Sequence, residues 1–149
     1  MYTNMANTKN NLTFFTPKIT SGKGTILIDV GISAGFPSPA DDFRETRISL
    51  DAELITNKEA TFFARVRGQS MIGAGLDDND LLVIDRSLEP INNKIAVCFL
   101  DGEFTVKRLR VEGKDVWLQP ENPDYPVIKI TEDLDFVIWG IVTNVIKKV

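Results

Sequence analysis

The chain has 149 residues, 43% hydrophobic and 26% charged, which suits one folded domain with a proper core and is too short to suggest two. A formal charge of −4 argues against a broad basic surface for phosphate backbones, so no direct sequence-specific DNA binding is expected. With no histidine and one cysteine, Cys98, the chain lacks the ligands of ordinary structural zinc sites and the partner for an internal disulfide, and no metal or cofactor is expected.

Residues 1 to about 24 are rich in Asn, Thr, Lys and Gly around a short apolar island at Leu12 to Phe15, a composition that predicts a mobile arm. Thr25 to Val30 reads as a strand. Gly31 to Pro39 is a loop punctuated by Gly, Ser and Pro that carries the Ala34-Gly35 bond and separates arm from domain. Asp41 to Glu45 suits a helical turn with acidic residues near its N-terminus.

From Thr61 onward the pattern is mostly strands. Thr61 to Arg67 alternates in part and ends at Gly68, where the chain turns to present Ser70. Leu81 to Asp85 reads as a buried strand. Ile95 to Leu100 and Glu103 to Leu109 are joined by Asp101-Gly102, a strong hairpin signal because a two-residue type I′ turn needs positive φ at both positions. Val116 to Gln119 and Val127 to Ile130 flank a Pro/Asn loop at 120 to 126, and Phe136 to Ile146 is a long apolar strand. The expected fold class is mainly β, a compact and strongly bent β-fold with little helix. There is no internal repeat and no helix-turn-helix pattern in the first 40 residues. No apolar run approaches the roughly 20 residues that span a bilayer, and the N-terminus lacks a signal-peptide core, so the expectation is a cytoplasmic protein without membrane contact.

A serine hydroxyl is a poor nucleophile until a base takes its proton, and without imidazole the remaining nitrogen base is a lysine made neutral by burial. Any serine chemistry therefore narrows to a Ser-Lys dyad, for which Ser70 in Gly68-Gln69-Ser70-Met71 and Lys107 in Thr105-Val106-Lys107 are the candidates. The small Ala34-Gly35 bond, followed by the stiff Pro37-Ser38-Pro39 run, is a substrate such a dyad could reach within its own chain. On the strand around Lys107, a period of two puts Thr105, Leu109 and Val111 on the lysine's face, with Leu109 and Val111 available to cover its stem, and Phe104, Val106 and Arg108 on the other. The turn after Gly68 offers the backbone N–H groups of Gln69 and Ser70 to an oxyanion.

Taken singly, Ser70 reads as a turn or cap serine and Lys107 as a solvated strand lysine; their joint occurrence with Ala34-Gly35 and the motifs around them favours the dyad. Cys98 reads as a small buried hydrophobe. Asp77, Asp78 and Asp80 lack the later glutamate of a calcium loop and read as a solvated acidic turn. For Phe14, Phe15, Trp117 and Trp139, core or interface packing is favoured over nucleic-acid stacking.

Gly35-Phe36-Pro37-Ser38-Pro39-Ala40, Gly68-Gln69-Ser70-Met71-Ile72, Leu76 to Asp85 and Asp101 to Leu109, in that order and at compatible spacings, resemble the LexA/UmuD family in its UmuD branch, from about Gly31 onward. The resemblance implies the bent β-fold of that family's C-terminal peptidase domain, with Ser70 and Lys107 as the dyad. It also implies that a RecA-ssDNA filament stimulates self-cleavage at Ala34-Gly35 in the SOS response to DNA damage. Residues 1–34 would be removed as an arm, and 35–149 would work as a homodimer with a UmuC-like Y-family polymerase subunit in translesion synthesis. Three alternatives stay open: an uncleaved regulatory binding module of the same fold, a LexA-like regulator without a DNA-binding domain, and a processing peptidase acting on other chains.

Overall fold

The computed structural model describes residues 3–4, 12–18, 25–28 and 45–149. Among them, eleven strands follow in chain order: β1 (Thr3–Asn4), β2 (Leu12–Thr16), β3 (Thr25–Ile28), β4 (Glu45–Ile48), β5 (Thr61–Val66), β6 (Leu81–Asp85), β7 (Ile95–Leu100), β8 (Glu103–Glu112), β9 (Asp115–Gln119), β10 (Ile128–Lys129) and β11 (Phe136–Ile146). The chain divides into two compact units.

The larger unit comprises Met1–Lys18 and Asn57–Val149. Its nine strands form one sheet in the order β1-β2-β5-β6-β11-β7-β8-β9-β10, with every neighbouring pair antiparallel. β6 lies between β5 and β11, and all five of its residues are buried, as the apolar run Leu81–Ile84 predicts for the first four. β11 serves two partners in succession. Its first half pairs with β7 and its second with β6, with register shifts at Ile138/Gly140 and Val142/Asn144 that bend the strand. Gly140 sits where this bend crowds β6: a Cβ there would lie 2.6 Å from Ile84 Cγ2. The β7–β8 hairpin turns on Asp101 at φ 47° and Gly102 at φ 89°, the two positive values expected of Asp-Gly in a type I′ turn.

Two apolar clusters hold the larger unit together. One gathers Leu12, Phe14, Val66, Met71, Leu76, Leu82, Ile84, Val97 and Val106 with the flanking rings of Phe104 and Trp139; the other gathers Ala96, Cys98, Leu109, Leu118 and Ile141. The packing reading thus holds for Phe14 and Trp139, whose rings meet edge to face at 4.8 Å.

The smaller unit, Ile19–Thr56, pairs β3 with β4 antiparallel and continues into the short helix α1 (Leu50–Leu54). Ser49 caps this helix, its Oγ accepting the N–H of Ala52 at 3.3 Å. Sequence periodicity did not announce a helix of five residues.

Several expectations need correction. The mobile arm does not extend through the apolar island: Leu12–Thr16 is a strand in register with β5, and Leu12 and Phe14 are only 1% and 4% exposed. Burying two such side chains stabilises by about 1.5–3 kcal/mol each, and β2 also satisfies the backbone edge of β5. Glu45 opens a strand instead of closing a helical turn, while residues 41–44 lie outside the described residues. The loop from Gly31 to Pro39, with Ala34 and Gly35, also lies outside them. The acidic turn is anchored instead of simply solvated. Asp80 is buried, its carboxylate accepts the N–H of Asp77 at 2.8 Å, and Lys147 pairs with both aspartates.

Candidate active site

Ser70 is placed by the turn that leaves β5. Gly68, at φ 103°, takes a left-handed conformation that favours glycine, and its N–H is accepted by Asp78 Oδ1 at 2.9 Å. Met71, 2% exposed, plugs the core directly after the serine, and a single 3-10 turn follows at Ile72–Ala74. From the far side, the chain after β9 grips the same turn. The N–H of Glu121 donates to the carbonyl of Ser70 at 2.8 Å, and Asn122 Nδ2 donates to the carbonyl of Gln69 at 2.9 Å. Arg108 in turn holds the Glu121 carboxylate.

Lys107 sits mid-strand in β8 and is 7% exposed. Its Nζ lies 3.1 Å from Ser70 Oγ, 2.7 Å from Thr105 Oγ1 and 3.0 Å from the carbonyl oxygen of Val106. A neutral amine has two N–H bonds and one lone pair. These three partners match that inventory if the amine donates to the carbonyl and the threonine hydroxyl and accepts the Ser70 O–H. Burial pushes the Lys107 pKa below its ordinary 10.5, because the charged form loses its hydration.

The cover over the lysine differs in part from the one the sequence suggested. Ala96 stands opposite Lys107 and Cys98 opposite Thr105, so both share the lysine's face of the sheet with Leu109, which is fully buried. Val111 is only half buried. Burial also pushes the Cys98 thiol up to about 12, against a smaller opposing pull from Lys107. Below that pH the thiol is uncharged and offers no counter-ion to hold the lysine protonated. Desolvation therefore decides the direction of the lysine's shift.

A cleft of about 240 Å³ opens over this pair. Arg67, Gly68, Gln69, Glu103, Tyr125, Pro126 and Ile128 line it together with Ser70, Thr105 and Lys107. The backbone N–H groups of Gln69 and Ser70 make no hydrogen bond among the described residues. The structure thus brings together Ser70, Lys107, Thr105 and the Gln69-Ser70 turn. Ala34 and Gly35 fall outside the described residues. Sequence reasoning missed Asp78, Glu121 and Asn122, for which the only signal was that they sit in turn-forming segments.

Residues 26–143 match the Peptidase S24-like family. The chain belongs to that family. This S24-like chain is 43% identical over 114 residues to Protein MucA of Salmonella typhimurium, a match covering 76% of the chain and 77% of MucA. To Protein SamA of the same species it is 44% identical over 115 residues, covering 77% and 79% of the two chains. To the LexA repressor of Acidithiobacillus ferrooxidans it is 38% identical over 119 residues, which is 78% of this chain and 58% of the repressor. The LexA/UmuD resemblance read from the motifs is borne out, and this S24-like peptidase is UmuD-like with the mainly β fold of that group. No helix among its described residues is long and apolar enough to cross a membrane.

Proposed function

We infer that this chain is a self-cleaving serine endopeptidase whose dyad is Ser70 and Lys107. One observation carries the reading: Ser70 Oγ lies 3.1 Å from an amine that burial holds toward its neutral form. Ser70 Oγ attacks the carbonyl carbon of Ala34 while Lys107 Nζ takes the hydroxyl proton. The N–H groups of Gln69 and Ser70 receive the oxyanion. As the tetrahedral adduct collapses, Lys107 returns the proton to the nitrogen of Gly35, which leaves as the new N-terminus. Water then hydrolyses the ester on Ser70, with Lys107 accepting the water's proton and returning one to Oγ.

A substrate in the same chain needs no diffusion, so weak docking of the loop suffices for a high effective concentration. Regulation then acts on the loop's position. In this reading a RecA-ssDNA filament favours the docked conformer and triggers cleavage during the SOS response. Residues 1–34 are lost, and 35–149 act in the cytoplasm as a homodimer with a Y-family polymerase subunit in translesion synthesis. Similarity to MucA, SamA and a LexA repressor supports this context.

The test is the intact mass of the full chain before and after incubation at about pH 10, where lysine amines deprotonate, and again with RecA-ssDNA filament. A fragment beginning at Gly35 is expected in wild type and absent in Ser70→Ala and Lys107→Ala. Gly35→Glu should block the cut by obstructing the cleft, and an unchanged rate would move the scissile bond elsewhere. A chain that stays intact under every condition would point to an uncleaved regulatory module, and cleavage of added peptides alone to a processing peptidase.

A further inference from the structure

We propose that Asn122 is a positioning residue that aims the Ser70 N–H at the developing oxyanion, a reading that rests on the Ser70-Lys107 mechanism above. Asn122 is a buried polar side chain, 8% exposed, and both ends of its amide are engaged. Oδ1 accepts the N–H of Asp124 at 3.0 Å, and this fixes the orientation of the amide, because a backbone N–H requires the oxygen on that side. Nδ2 therefore faces the carbonyl of Gln69, 2.9 Å away and 53 positions earlier in the chain.

That carbonyl belongs to the same peptide plane as the Ser70 N–H. The plane is rigid and trans, so its C=O and N–H point in opposite directions. Holding the oxygen at Asn122 turns the N–H away from Asn122 toward the cleft that Gln69 and Ser70 line. The next carbonyl along, that of Ser70, is held by the N–H of Glu121, so two consecutive carbonyls are gripped by two consecutive residues. The Gln69 carbonyl also accepts the N–H of Ile72, at a longer 3.4 Å, so removing Asn122 takes away the shorter of its two tethers and eases a flip of the Gln69-Ser70 peptide beside the adaptable Gly68. A flip places a carbonyl oxygen where the oxyanion forms, replacing a donor by a repulsive acceptor.

Asn122→Asp keeps the size and the acceptor for the Asp124 N–H but sets a carboxylate oxygen against the Gln69 carbonyl. Asn122→Ala removes both contacts. In the full chain each should slow self-cleavage by about 10²–10³-fold, the loss typical of one oxyanion donor. Because Asn122 shares no hydrogen bond with Lys107 among the described residues, the pH at which the rate rises should stay in place in Asn122→Ala. The second readout is the Ser70 amide resonance, recorded in a Lys107→Ala background that prevents processing. It should move in Asn122→Asp while resonances of β6 and β7 hold still. A rate within about threefold of wild type, or a slowed rate with an unmoved Ser70 amide, overturns the proposal. If the wild-type chain itself never cleaves, the dyad reading falls, and the Ser70 amide alone decides whether Asn122 positions this peptide.

Discussion

Gly73 donates its N–H to the carbonyl of Glu121 at 2.8 Å, and a Cβ built on Gly73 would lie 2.5 Å from that same oxygen. The glycine is thus demanded by close approach of two backbones and not by a left-handed φ. Gly73→Ala should push the Glu121-Asn122 segment off the serine turn, destabilise by about 1–3 kcal/mol and slow self-cleavage. Urea unfolding of the variant measures the first effect, and an unchanged midpoint would mean that this segment yields without cost.

Self-cleavage should rise with pH as Lys107 loses its proton, with the midpoint of the rise below 10.5 because burial lowers the lysine's proton affinity. Cys98→Ala should leave the rise where it is, since the thiol stays uncharged up to about 12. First-order rates between about pH 6 and 11 test both statements. A rise centred at or above the ordinary lysine value would contradict the desolvated base.

The same lysine makes stability pH-dependent. Its folded pKa lies below 10.5 and its unfolded pKa at the ordinary value, so between the two the unfolded chain binds more protons. The cost of burying the amine is fully present below the folded pKa, and stability climbs with pH until the cost vanishes above 10.5. The slope in that window reaches at most about 1.4 kcal/mol per pH unit. Urea midpoints of Ser70→Ala should therefore rise with pH more steeply than those of Ser70→Ala/Lys107→Met. Lys147, whose pKa Asp77 and Asp80 raise, is common to both variants and cancels in the comparison. Parallel curves would refute a buried neutral lysine.

Phe14→Ala should cost the full chain about 3–5 kcal/mol, because the ring is 4% exposed and meets both Phe104 and Trp139 at 4.8 Å. Thermal unfolding measures this directly. A melting temperature equal to wild type would return residues 12–16 to a mobile arm.

Much of this architecture was legible in the sequence because it depends on neighbours along the chain. An unbroken apolar run makes a central strand of Leu81–Asp85, and Asp101-Gly102 turns a hairpin because only certain residues tolerate two positive φ values in succession. The absence of histidine alone reduced a serine mechanism to a lysine base. Tertiary structure decided what depends on approach between distant segments. Leu12 and Phe14 carry the same alternation whether an arm is free or docked, and only the open edge of β5 makes them core. Ser70 and Lys107, 37 residues apart, meet because the turn after β5 reaches the centre of β8. The lysine is desolvated by Ala96 and Cys98 from the next strand as well as by its own, and the serine turn is held by Glu121 and Asn122 from a loop whose composition signalled only a turn. Local conformational preference is written residue by residue, whereas desolvation and hydrogen-bond partnership exist only once the strands are side by side.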